Sequence, residues 1–288
     1  MPTDLAQHVI IAQQAQALIR ACGNRLWAGW GDLPLAVGVQ QQSRLWLVGH
    51  PSPPANFSIC ESLPYGPLPA EPRSEVMVLA GVETALLLPI PAAPADLLLT
   101  TLGRLFHSYQ LHYTKHLAHP PSPQVSLVCF QDQSIRTLLH HVGYSLWRSG
   151  SALSDQELRY EADAIQALRQ VLAELLAMKT GSGATWAYFT WLEWRLGGAR
   201  YAALKIIEAA SSATLEPAYA ALADAETPEQ LWARAWQQYA QELRDVGLEP
   251  VDNASLAALG YGLALLLDRV KPQWRQHYLE TTLDQLLP

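Results

Sequence analysis

The chain has 288 residues, half of them hydrophobic and 16% charged, so it can bury a full core. Its mean hydropathy is +0.03. No apolar run reaches the ~18–20 residues that a membrane span needs, so no transmembrane segment is expected. A formal charge of −7 with no basic cluster disfavours a nucleic-acid surface, because nothing is arrayed to neutralise phosphates.

The N-terminal stretch lacks a basic region and a small-residue cleavage site, so secretion is not expected. Residues 5–21 read instead as an amphipathic helix. Cys22, Cys60 and Cys129 are far apart and form no CxxC pair. They read as buried free thiols in a reducing compartment, and the expected localisation is cytoplasmic. Between residues 26 and 94 the chain is rich in Pro, Gly and Trp. The runs 34–39, 44–49, 75–80 and 84–89 are short, partly β-rich and bounded by turn residues. They predict a small antiparallel sheet, over which the proline-dense segment 50–72 passes as a loop.

From Asp96 the pattern becomes helical. Asp96 reads as a helix cap before Leu97, Leu98, Leu102, Leu105 and Phe106, and the prolines of 119–124 end that helix. Ser154 with Glu157 forms a capping box, followed by an apolar face at Leu158, Ala162, Ile165, Leu168, Leu172 and Leu175. The glycines of 181–183 break this helix, and another is expected over 185–210. Thr227, Pro228 and Gln230 make a second capping box with proline at the first helical position. Helices over 256–270 and 274–287 complete the set, separated by Pro272. The expected fold class is α+β: an N-terminal helix and small antiparallel sheet over 1–94, with Pro-rich loops, packed on a larger helical bundle over 95–288 as one integrated unit.

Catalytic signatures are few. GxSxG, GxxxxGK[ST] and GxGxxG are all absent, and no cysteine sits in an electropositive motif. His107 lies on the predicted helix in LGRLFHSYQLHY. The ordinary reading is a core or pocket-wall imidazole; a non-metal binding role and a ligand role are the alternatives. His112 and His116 stand four apart and could share a metal, with His119 one turn on. Without a carboxylate or Cys beside them, an exposed helix end is the simpler reading. His140 and His141, near Tyr144 and Trp147, point to different helix faces and read as packing residues. Glu193 and Arg200 stand one turn before and after Leu196. They form either a structural ion-pair network, with Arg104 as the favoured partner of Glu193, or the floor of a polar pocket with His107 and Gln110. Trp191 and Trp194 fit one helix face and predict core positions, with Trp186 turned elsewhere.

Several of these stretches resemble one family in collinear order. Phe106–Gln110 resembles the HExFHxYQ helix of bacterial proteins similar to gluzincin-type zinc metallopeptidases. LWAGWGDLPLAVGVQQQSRLWLVGHPSPP (26–54) resembles that family's Trp-x-Gly-aromatic opening, hairpin and Gly-His-Pro turn. LEWRLGGARYAAL (192–204) resembles its Glu-Trp-x-Glu-Gly-x-Ala-x-Tyr helix, and YGLALLLDRVKPQWRQ (261–276) its closing helix and Pro-x-Trp. The resemblance implies a zincin-like architecture. It places the first zinc ligand at Gly103, the general base at Arg104, the second ligand at His107 and the third at Leu196. Three of these four cannot do that chemistry. One histidine does not hold Zn²⁺, and Arg104 would place a permanent cation beside it. The expectation is therefore a pseudoenzyme: a metallopeptidase-like scaffold or assembly factor without cofactor or peptidase activity, holding another protein. The rivals are a zinc-dependent hydrolase with ligands recruited from His107, His112, His116 and Glu193, and a small-anion-binding protein using His107, Gln110 and Arg200.

Overall fold

The structure is a computed structural model that describes residues 3–68, 75–88, 92–114, 120–121, 127–151, 154–211 and 215–288. Its architecture is α+β, as expected. The chain divides into two compact units. The first comprises the chain up to Tyr113 together with Ala202–Arg234; the second is Thr114–Tyr201 together with Ala235–Pro288.

In the first unit, helix α1 (Thr3–Leu26) leads into a 3-10 turn at Trp30–Asp32. Six strands follow: β1 (Ala36–Gln41), β2 (Arg44–Val48), β3 (Ser58–Cys60), β4 (Leu63–Pro67), β5 (Val76–Leu79) and β6 (Val82–Leu87). Their order in one sheet is β3-β4-β2-β1-β6-β5. The sheet is mixed rather than antiparallel. The chain leaves β1, builds four strands, and returns on the other side, so that Val37 pairs with Ala85 and Val39 with Leu87 in parallel register. Leu45, Leu47, Leu79 and Leu86 form one core cluster, flanked by Phe57, Leu68 and Met77.

The proline-dense segment is not a loop. It contains the β3–β4 hairpin, in which Cys60 pairs with Leu63 across the two residues Glu61 and Ser62. Both carry positive φ, 47° and 70°. Two left-handed residues suit the twist of a tight hairpin, but Asn and Gly are the residues that usually announce it. The hairpin is an edge of the sheet, which leaves Ile59 75% exposed and Cys60 exposed rather than buried. Cys22 is buried and Cys129 partly so.

Helix α2 (Pro94–Tyr113) packs on α1 and β6 and belongs to the first unit. The change of composition near residue 95 thus marks a change of secondary structure inside that unit. Asp96 is not its cap: the helix begins two residues earlier, and Asp96 pairs with the Arg234 guanidinium at 2.9 Å. The histidines 116 and 119 and most of the 119–124 segment lie outside the described residues.

The remaining elements are helical; their residues within 202–234 belong to the first unit and the others to the second. Helix α3 (Gln133–Ser149) is capped by the Asp132 carboxylate, which accepts from the Ser134 and Ile135 amides. Helix α4 (Asp155–Thr180) carries the expected Ser154–Glu157 capping box and ends at left-handed Gly181. Helix α5 (Ala184–Leu192) continues through a π-helical turn, Glu193–Gly197, into α6 (Gly198–Ala209). A short helix α7 (Pro217–Ala220) precedes α8 (Pro228–Asp245), where Thr227 and Gln230 cap reciprocally as expected. Helix α9 (Asn253–Val270) has a further capping box, Asp252 with Ser255. It packs on the π turn backbone to backbone. A Cβ on Gly197 would stand 2.4 Å from Gly260, and one on Gly260 2.1 Å from the Glu193 carbonyl oxygen.

The helix expected over 274–287 is instead a 3-10 turn, Trp274–Gln276, and the one-turn helix α10 (Leu283–Leu286). Tertiary bonds override the local pattern here. The Tyr278 hydroxyl donates to the Trp194 carbonyl at 2.6 Å, and the Trp194 indole donates to the Tyr278 carbonyl at 2.9 Å. No helix among the described residues is long and apolar enough to cross a membrane.

Candidate functional site

Helix α2 brings Arg104, His107 and Gln110 onto one side, where Glu75 enters from the residue before β5. The His107 ring is 7% exposed. Its Nδ1 lies 2.7 Å from the Gln110 amide oxygen and its Nε2 3.2 Å from the Glu75 carboxylate. Both ring nitrogens are therefore engaged. The Arg104 guanidinium donates to the Leu86 carbonyl, bonding the helix to β6. Burial holds its pKa below the ordinary arginine value, and the Glu75 charge opposes that shift. Gly103 supplies no side-chain donor.

The rest of the stretch is core. Phe106 is fully buried against Trp27 and Trp30, at centroid separations of 5.0 and 5.1 Å. The Tyr109 hydroxyl donates to the Ala28 carbonyl at 3.1 Å, and burial pushes its pKa well above the usual phenol range. His112 is exposed, and its Nδ1 meets Glu83 at 3.2 Å. His140 bonds the Val246 carbonyl at 3.1 Å, while His141 is exposed.

The remaining expected positions belong to the second unit. Glu193 is fully buried at the start of the π turn, and its partner is Arg169 rather than Arg104. The guanidinium grips both carboxylate oxygens, at 2.8 and 2.7 Å, and its Nε donates to Asp284 at 2.8 Å. Burial pushes the Glu193 carboxyl upward and the Arg169 charge opposes it. Burial alone would lower the Arg169 pKa, but the Glu193 and Asp284 charges more than offset it and hold the group firmly protonated. Arg200 does not join Glu193. It pairs with Glu242 and lies 4.4 Å from the Tyr239 ring centroid. Leu196 is half-buried within the π turn. Trp191 and Trp194 are buried and Trp186 is partly exposed, as the spacing predicts.

No family model, curated protein or solved structure matches this chain. Chemistry must therefore carry the reading of the site. Among the described residues, no group of three or more His, Cys, Asp and Glu is placed to hold a metal ion. The residues at the positions implied by the resemblance do not fit zinc, since Gly103 and Leu196 have no donor atom and Arg104 is a cation.

Sequence reasoning missed Arg169, Asp284 and Glu75. Arg169 left a signal. The buried face of α4 runs Leu158, Ala162, Ile165, Arg169, Leu172, Leu176, so a cation stands in an apolar stripe at helical spacing. A charge at such a position requires a buried partner. Nothing in the sequence announces that Asp284, on a one-turn helix, supplies part of it.

Proposed function

We propose that this chain is a non-catalytic protein of metallopeptidase-like ancestry that works by holding another protein. The observation carrying this reading is the state of His107. It is the single residue of ligand type at the four implied positions, and both its nitrogens are engaged by Gln110 and Glu75. A histidine binds zinc through the lone pair of a nitrogen, so coordination would require giving up one of these contacts. Two further residues support the same reading. Arg104, at the implied general-base position, serves as a tie between helix and sheet, and Glu193, a candidate recruited ligand, is the buried counter-ion of Arg169. Both uses are structural.

Neither rival has a comparable observation behind it. His112 is occupied with Glu83, and Arg200 with Glu242. The test is hydrolysis of an unstructured protein such as casein, with and without added Zn²⁺, by the wild-type chain and by His107→Ala. The expected result is no zinc-dependent cleavage by either. Zinc-dependent cleavage that His107→Ala abolishes would overturn the proposal.

A further inference from the structure

A second feature of the molecule concerns charge rather than metal. Between α5 and the segment 280–285, the second unit carries an open pocket of about 330 Å³ lined in part by Trp186, Thr190, Trp191, Glu280, Thr282 and Asp284. Among the described residues, the lining holds two carboxylates and no cationic side chain. One wall is the outer end of the buried ion triad. There a single guanidinium, Arg169, faces two carboxylates, Glu193 and Asp284. Glu193 is fully buried and takes the bidentate grip. Asp284 is 25% exposed, and only its Oδ1 is bonded to Arg169. Its Oδ2 makes no hydrogen bond with any described residue. The surplus negative charge of the triad therefore reaches solvent at the pocket wall.

The adjoining aromatic wall suits a cation. The Arg169 Cζ lies 5.1 Å from the Trp186 ring centroid and 5.7 Å from that of Phe189, and the two rings are 5.2 Å apart. Arg169, Phe189 and Trp186 thus form a compact triangle. Trp186 is among the residues lining the pocket, and Arg169 and Phe189 are not. Trp191 is different: the Arg195 Cζ already stands 5.3 Å from its ring, and Tyr188 stacks on it. Glu280 meets His277 at 3.1 Å. Trp186 and Asp284 are thus the pair with capacity to spare. An indole face attracts ammonium groups, the more strongly when water is excluded.

We propose that this pocket binds a small organic ammonium ion, seated against the Trp186 indole with Asp284 Oδ2 as its counter-charge. The site is independent of the reading of His107 and lies wholly within the second unit.

Calorimetric titration of the whole chain at low ionic strength tests it, with choline as the probe and 3,3-dimethylbutan-1-ol as its uncharged isostere. Choline is expected to saturate one site and to bind at least about fivefold more tightly than the alcohol. Trp186→Leu keeps an apolar wall and removes the π face; it is expected to erase most of that preference and leave the alcohol's binding nearly unchanged. Asp284→Asn is expected to weaken choline similarly. Thermal unfolding shows whether that variant still folds, and if it does not, Trp186→Leu decides alone. No saturable choline binding, equal binding of the alcohol, or unchanged choline binding by Trp186→Leu would each overturn the proposal.

Discussion

At the scale of single residues, the second unit depends on Arg169. The guanidinium is 2% exposed and its two oxygen partners on Glu193 have no contact with water. Removing one member of a buried pair leaves an uncompensated charge, which costs about 3–5 kcal/mol, whereas replacing both members with apolar groups is often nearly neutral. Arg169→Met alone is therefore expected to destabilise the fold by about 3–5 kcal/mol, and Arg169→Met with Glu193→Met by clearly less. Urea unfolding of the two variants measures both. A double variant as damaged as the single would show that the pair itself, rather than the orphaned charge, supplies the stability. Exposed carboxylates act differently. Lys179 and the helix amides hold the Asp132 carboxyl below its ordinary value, and Ser154 does the same for Glu157. Because these folded-state values are depressed, the stability they contribute is present above the unfolded values of 3.8 and 4.5 and is lost as pH falls through the lower folded ones. The stability difference between wild type and Asp132→Asn plus Glu157→Gln should accordingly be present at neutral pH and vanish in strong acid. A difference that persists in acid would contradict the capping role of these charges.

At the scale of elements, the chain announces what local chemistry determines and hides what packing determines. The capping boxes at Ser154 and Thr227 are local hydrogen-bond exchanges over three residues, and both stand where the sequence places them. The Glu61–Ser62 hairpin is hidden because it uses unfavoured residues at positive φ. Left-handed backbone costs an L-residue roughly 1–2 kcal/mol that glycine largely avoids, so Ser62→Gly should raise stability by up to about 1 kcal/mol once chain entropy is deducted. A loss of stability would indicate that the Ser62 side chain makes a contact that glycine forfeits. The π turn is hidden for another reason. Sequence spacing places Glu193, Leu196 and Arg200 on one face only if the helix keeps its regular period, and the wider turn at Glu193–Gly197 breaks that relation. The turn accommodates the backbone approach of Gly260, so Gly260→Ala is expected to cost about 1–3 kcal/mol by overpacking. Thermal unfolding of that variant, with Gly183→Ala in open space as the control, checks the claim.

At the scale of the whole molecule, the α+β architecture and the identity of the mixed sheet's core strands follow from short apolar runs and helical periodicity. The parallel β1–β6 pairing does not, since it depends on where the chain returns after forty residues of intervening structure. The candidate site was legible in part. Gly103, Arg104 and Leu196 already argue against zinc from their side-chain chemistry, and His107 is buried as its helical context suggests. Its partner Glu75, and the Arg169–Glu193–Asp284 triad, arise from contacts distant in sequence. The central proposal is that this chain, although it resembles a zinc metallopeptidase family, holds no zinc of its own. Zinc analysis of the purified wild-type chain, before and after incubation with excess Zn²⁺ and removal of the unbound ion, tests it most directly. The account predicts no stoichiometric zinc in either sample; one tightly held zinc per chain would contradict it.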